Sequence, residues 1–240
     1  TEKKYLFQCY EYLQGETLAQ WLHRQEKPLN LDEILPILQQ TALALNAMHR
    51  LEMLHQDIRP KNIMVINAEN AMKIKLIDYG STAVRGLVEI NPKNANRPLG
   101  TLAFMAPEYF IDHSPSVHSD QFSLAVMAYY LFTKQLPYGT DLARCNSLKQ
   151  MKKVQYHSIR KYRPDLPIWL DKILGQALSI EPIHRFEALS ELIHNLMHPS
   201  KELLNSKPPA IIERDPLRFW QMSCAVLGLL FLLSIAWPFI

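Results

Sequence analysis

The run His55-Gln56-Asp57-Ile58-Arg59-Pro60-Lys61-Asn62 places an acid, a guanidinium and a carboxamide within six residues. A second acid, Asp78, follows Leu76-Ile77 and precedes Tyr79-Gly80. Between them lie two β-like apolar runs, residues 63–66 and 74–77, separated by the polar Asn67-Ala68-Glu69-Asn70. That pattern reads as a hairpin, which returns the chain on itself and makes neighbours of its two ends. Asp57, Asn62 and Asp78 are thereby expected at one mouth. Two carboxylates and an amide oxygen suit Mg²⁺, a hard cation that takes oxygen ligands and keeps several waters.

The elements that must hold this mouth are legible on both sides. Cys9 and Tyr10 close an aromatic, apolar run from residue 5 that reads as a strand, with a turn over residues 11–15. Thr17 can cap a short helix through His23, with Leu18, Trp21 and Leu22 on its apolar side. From Asp32 to Arg50, Ile34, Leu35, Leu38, Leu45 and Met48 recur at a helical period, with Pro36 in about the first turn, where a missing donor costs least. Residues 79–107 are irregular, and a stretch that long inside a domain is usually functional. Residues 119–132 are apolar nearly all round and predict a buried helix. Further helices are expected over residues 147–157, 168–179 and 186–197. The fold class is α+β, mainly helical, with a small sheet at one end.

With the motifs placed, a family likeness emerges. The two acidic stretches resemble the catalytic loop (HRDxxxxN) and metal-binding loop (DFG) of the eukaryotic-type serine/threonine protein kinases. Gly100-Thr101-Leu102-Ala103-Phe104-Met105-Ala106-Pro107-Glu108 resembles the GTxxYMAPE stretch of that family, and Ser119-Asp120-Gln121-Phe122 the start of its central helix. Pro182-Ile183-His184-Arg185 resembles its arginine-bearing turn. The order and spacing of these elements match from Tyr5 to about Met197. The resemblance implies a protein-kinase-like C-terminal lobe that uses ATP and Mg²⁺ to phosphorylate Ser or Thr hydroxyls of a protein substrate.

On that resemblance Asp57 orients the substrate hydroxyl and accepts its proton, and Arg59 faces the transferred phosphate with a planar fork where the family usually has Lys. Asn62 and Asp78 bind Mg²⁺. Phe7-Gln8-Cys9-Tyr10-Glu11-Tyr12-Leu13 resembles the hinge, with Tyr10 at the back of the adenine pocket and the main chain of Glu11 and Leu13 offered to the base; the same run also reads as a plain edge strand. Glu108 and Arg185 resemble a buried structural ion pair, and Asp120 the residue that braces the catalytic loop. Gln56 stands where many members have an arginine that meets a phosphorylated loop, so a switch of that kind is expected to be weak or absent. The 240 residues hold no GxGxxG strand-loop, no VAIK-type lysine and no matching helix glutamate. The reading therefore takes the chain as hinge and C-terminal lobe, with the N-terminal lobe largely missing and full activity dependent on residues outside it.

Composition narrows the alternatives. A 48% hydrophobic and 20% charged chain is ordinary for a folded protein, and a net charge of +3 gives no reason to expect nucleic acid as a partner. Cys9, Cys145 and Cys224 form no CxxC pair, and the histidines have no zinc-like spacing, so reduced thiols in a cytosolic protein are expected. The tail differs from the rest. Residues 219–240 contain no charge, Trp220 and Trp237 lie near the two ends, and Arg214 and Arg218 precede them. Such a stretch reads as a single transmembrane helix with the preceding domain in the cytoplasm; a buried or docking helix is the other reading. The expected organisation is residues 1–197 as kinase domain, 198–217 as linker and 218–240 as the membrane span, by analogy in a bacterial inner membrane. The rival functions are a catalytically incomplete scaffold at the membrane, which the missing glycine loop would favour, and phosphotransfer to a small molecule, which the Met105-Ala106-Pro107-Glu108 stretch disfavours.

Overall fold

The computed structural model describes residues 9–68, 71–84, 102–111, 115–205, 217 and 220–228. Its elements run β1 (Glu16–Thr17), α1 (Leu18–His23), α2 (Leu31–Arg50), β2 (Met53–Leu54), a 3-10 turn (Pro60–Asn62), β3 (Ile63–Ala68), β4 (Ala71–Leu76), a second 3-10 turn (Tyr79–Ser81) and β5 (Ala83–Val84). Helices follow: α3 (Glu108–Ile111), α4 (Val117–Thr133), α5 (Leu148–Met151), α6 (Ile168–Ala177), α7 (Leu189–Met197) and α8 (Lys201–Leu204). The expected mainly helical α+β class is what the structure shows. The chain divides into two units, residues Thr1–Leu204 and Asn205–Ile240.

In the first unit α4 is the axis of the core. Every residue from Ser119 to Tyr129 is buried, as its all-round apolar pattern requires. Ser116 caps it by accepting from the His118 N–H, and the Ser119 hydroxyl reaches back to the Ser116 backbone. The helix ends at Lys134, which gives its N–H to the Tyr130 carbonyl and then turns the chain away with a left-handed φ of 55°. α2 packs on α4 and α7 through Ile34, Ile37, Leu38 and Leu45, and its Asn30–Glu33 capping box fixes where it begins. Pro36 stands in the second turn of α2, one turn deeper than expected, so one backbone bond is forgone there.

The hairpin is longer than its apolar runs suggest. β3 and β4 pair antiparallel from Ile63↔Leu76 to Ala68↔Ala71, so Asn67 and Ala68, expected in the turn, belong to the ladder. β1 joins β3 on the other side, giving the order β1-β3-β4. Gly15 makes that pairing possible: a Cβ there would lie 2.3 Å from the Val65 carbonyl oxygen. Gln40 of α2 clips the hairpin by bonding the Met72 carbonyl and the Ile74 N–H.

Two helical expectations fall short for identifiable reasons. Helix over residues 147–157 stops at Met151, because Asp171 of α6 accepts from the Tyr156 hydroxyl, the Ser158 hydroxyl and the Ile159 N–H. The His157 N–H goes to the Pro137 carbonyl. These bonds give the backbone partners outside a helix. α7 begins at Leu189 and not at Phe186, whose carbonyl accepts from the Gln121 side chain. Residues 5–8 of the expected first strand, Gly100 and Thr101 lie outside the described residues. So does most of the expected span at 218–240. Within the second unit residues 220–228 are helical, with Trp220, Met222, Val226 and Leu227 exposed. Among the described residues no helix is long and apolar enough to cross a membrane.

Candidate active site

The loop from His55 to Asn62 is held from below by one carboxylate. Asp120, wholly buried on α4, accepts from the His55 N–H at 3.0 Å and the Gln56 N–H at 2.9 Å. It also meets His49 Nε2, at the end of α2, at 2.8 Å. The sequence pointed to Asp120 as the brace but gave no sign of His49, which stands at the end of an ordinary amphipathic helix. Gln56 is held with φ at 66°, a left-handed backbone that a non-glycine residue adopts at a cost of about 1–3 kcal/mol unless its surroundings fix it. Asp120 holds the His55 and Gln56 N–H groups that lead into that φ, and the Asp57 N–H beyond it meets His55 Nδ1.

Above the brace, Asp57 and Asn62 close the loop on itself. The Asn62 side-chain amide donates to the Asp57 carbonyl at 2.8 Å and to Asp57 Oδ2 at 2.9 Å. Arg59 Nε stands 3.3 Å from Asp57 Oδ1. Asp57 and Asn62 are both buried. The Ile77 N–H bonds the Asn62 carbonyl at 3.0 Å, carrying the β3–β4 register one step past the ladder and delivering Asp78 beside Asn62. Asp78 is exposed, has a left-handed backbone and accepts from the Gly80 N–H at 3.3 Å. Asp57 and Asn62 are thus joined directly, and Asp78 follows the residue whose N–H is bonded to Asn62.

This donor set fits Mg²⁺. Both hydrogens of the Asn62 amide are committed to Asp57, which leaves its oxygen as the atom able to ligate. Asp78 adds an exposed carboxylate. Among the described residues no group of three or more His, Cys, Asp or Glu could hold a metal by itself. The arrangement therefore suits an ion that takes two protein oxygens and completes its shell with phosphate and water.

His55 lies under this floor. Burial holds its imidazole below the usual histidine range, against the opposing pull of Asp120, Asp57 and Asp78. Its Nδ1 accepts weakly from the Asp57 N–H at 3.4 Å, and its ring tilts against Tyr79 at 5.7 Å. The Tyr79 hydroxyl, absent from a Phe, donates to the Leu76 carbonyl and pins the turn after Asp78. Gln56 is buried, with no partner for its amide nitrogen among the described residues, and carries no charge with which to meet a phosphate.

Two further expectations have different outcomes. Glu108 and Arg185 form a bidentate buried pair at 2.9 and 2.8 Å, joined by the Ser119 hydroxyl on Glu108. Arg185 also bonds the carbonyls of His118, Ser179 and Ile180 and covers the Phe122 ring at 4.8 Å. In the hinge-like run, Glu11 pairs with Lys75 of β4 at 2.9 Å, and both are well exposed. Tyr10, expected at the back of a pocket, is 72% exposed instead. Leu13 is partly exposed, and its main chain makes no hydrogen bond among the described residues.

The family model described as "Protein kinase domain" matches residues 1–199. The chain belongs to the protein kinase family. Its relatives include serine/threonine-protein kinase PrkC of Bacillus subtilis, 26% identical over 76% of this chain and 27% of that protein. Serine/threonine-protein kinase pkn3 of Myxococcus xanthus is 31% identical over 75% of this chain and 34% of that protein. Among solved structures, the kinase domain of Mycobacterium tuberculosis PknI superposes with a TM-score of 0.60 at 25% identity, covering 79% of this chain and 64% of that one. The chain thus spans about a quarter to a third of the length of these curated relatives. It has a protein-kinase-like fold, and its named relatives are serine/threonine kinases.

Proposed function

We propose that this chain supplies the substrate- and metal-binding half of a serine/threonine protein kinase and transfers the γ-phosphoryl group of ATP to a Ser or Thr hydroxyl. The observation that carries the reading is the closed Asp57–Asn62 pair, with Asp78 delivered beside it by the Ile77–Asn62 bond. Mg²⁺, when bound, would offset the charge of the phosphates. Asp57 orients the acceptor hydroxyl and takes its proton as the oxygen bonds to the γ-phosphorus; the bond to the β,γ-bridging oxygen breaks and ADP leaves. Arg59, 3.3 Å from Asp57, presents a guanidinium to the transferred group. Asn62 and Asp78 would hold the metal, and the main chain of Glu11 and Leu13 would border the adenine. Closure over the nucleotide needs glycine-rich and lysine elements that these 240 residues do not contain.

The proposal includes a membrane tether through residues 218–240, with the kinase domain in the cytoplasm at a bacterial inner membrane. Two features support it: the absence of charge in residues 219–240, and the apolar side chains that helix 220–228 exposes. Resistance to carbonate extraction tests it, and release into the soluble fraction would refute it.

A scaffold without phosphotransfer is the second reading. Incorporation of labelled phosphate from Mg-ATP into a protein acceptor, by the polypeptide that contains these residues, separates the two. Incorporation that D57N abolishes supports the enzyme. Nucleotide binding without any transfer supports the scaffold.

A further inference from the structure

The rim beside Asp57 is built by β1, α1 and the turn Pro60–Asn62, which pack against one another. In that turn Pro60 and Asn62 are buried, while Lys61 is exposed. Among the described residues Lys61 makes no ion pair and no hydrogen bond. The one carboxylate on β1, Glu16, is engaged by Arg24 just past the end of α1. His23, the last residue of α1, is exposed. This rim therefore carries a neutralised acid and an uncompensated cation. Asp57 itself faces Arg59, and Asp78 lies beyond Asn62 as the carboxylate assigned to the metal.

We propose that Lys61 selects acceptor segments with an acidic side chain close to the Ser or Thr hydroxyl. This rests on the phosphotransfer reading and names its substrate class. Lys61 is an exposed residue of the same short loop that the Asn62–Asp57 bonds close, so a segment that presents its hydroxyl to Asp57 would lie near it. An extended chain advances about 3.3–3.6 Å per residue, so side chains two or three residues from the hydroxyl come within reach of a flexible lysine stem. A carboxylate there meets a cation with no ion-pair partner among the described residues, and a lysine there meets repulsion. Glu16 offers a basic segment little compensation while Arg24 holds it.

The test uses the polypeptide that includes residues 1–240, Mg-ATP, and peptides with one Ser flanked by Asp, Ala or Lys. An exposed ion pair is worth about 0.2–1 kcal/mol, so Asp peptides should exceed their Ala counterparts by about 1.4- to five-fold in kcat/KM, mainly through KM. That advantage should shrink in about 0.5 M salt. K61E should invert the order of Asp and Lys peptides, and K61Q should flatten it. R24A, which releases Glu16, should narrow it. Equal use of Asp and Lys peptides, or an order that survives K61E and K61Q, overturns the inference and leaves phosphotransfer standing. No incorporation into any peptide overturns the phosphotransfer reading, and this inference with it.

Discussion

Asn62 gives both hydrogens of its side-chain amide to Asp57, one to the carboxylate and one to the carbonyl. One residue therefore fixes the orientation of the proposed proton acceptor and, by the same bonds, decides which of its own atoms can ligate a metal. N62D removes both donors and sets a second carboxylate against Asp57. The loss of a buried partner costs about 1–3 kcal/mol, and like charges add to that. Phosphotransfer should fall by at least about 100-fold, with the Mg²⁺ requirement moved to higher concentration. Titrating Mg²⁺ against rate for N62D and N62A checks it; N62A that retains activity would exclude this role for Asn62.

Asp120 acts one layer below. Its two oxygens receive the N–H groups of His55 and Gln56 and the ring of His49. D120N turns one of those acceptors into a donor that faces a donor, in a wholly buried place. The expected penalty is about 2–4 kcal/mol of stability, since a buried unsatisfied group loses its full desolvation energy. H49A should cost less, because only one of the three bonds goes. Chemical denaturation of the two variants gives the order.

The Glu108–Arg185 pair makes a different demand. Removing one partner strands a buried charge, so E108A should destabilise the unit by about 3–5 kcal/mol. E108Q keeps acceptors for Arg185 and for the Ser119 hydroxyl in part, and should lose less. Thermal melts of both variants distinguish a charge requirement from a packing one.

What the sequence made legible follows from how local each signal was. Asp57, Asn62 and Asp78 were readable because a hairpin must return its ends to one place, and the Ile77–Asn62 bond carries that through. The buried α4 was readable from its apolar residues alone. His49 was not, since nothing in α2 distinguishes a histidine that meets a carboxylate 71 residues away from one facing solvent. Nor was the early end of helix after Met151, which Asp171 imposes from α6. The Glu11–Lys75 pair likewise depends on register between segments far apart in the chain. Contacts made at long range leave no period to read.

Gly15 offers a test of backbone approach. A methyl group there would overlap the Val65 carbonyl oxygen, at 2.3 Å, and that oxygen belongs to a paired strand that cannot move aside cheaply. G15A should therefore detach β1 from β3 and lower stability by about 1–3 kcal/mol. Faster hydrogen exchange at Glu16, Thr17 and Val65, with α4 unchanged, is the expected signature.

The last prediction concerns pH. Burial lowers the His55 pKa below its unfolded value near 6.5, so the folded unit favours the neutral ring. Below that unfolded value the unfolded chain binds a proton that the folded chain refuses, and linkage then makes stability fall as pH falls. The contribution is fully present above about pH 6.5 and is progressively lost as pH drops through the window toward the lowered folded value. Neighbouring carboxylates temper the effect, since Asp120, Asp57 and Asp78 each pull the ring back toward protonation. Urea denaturation between about pH 7.5 and 5.5 should show this decline, and H55Q, which cannot take the proton, should show a flatter one. Parallel slopes for the two proteins would mean that another group carries the dependence and that His55 is protonated equally in both states.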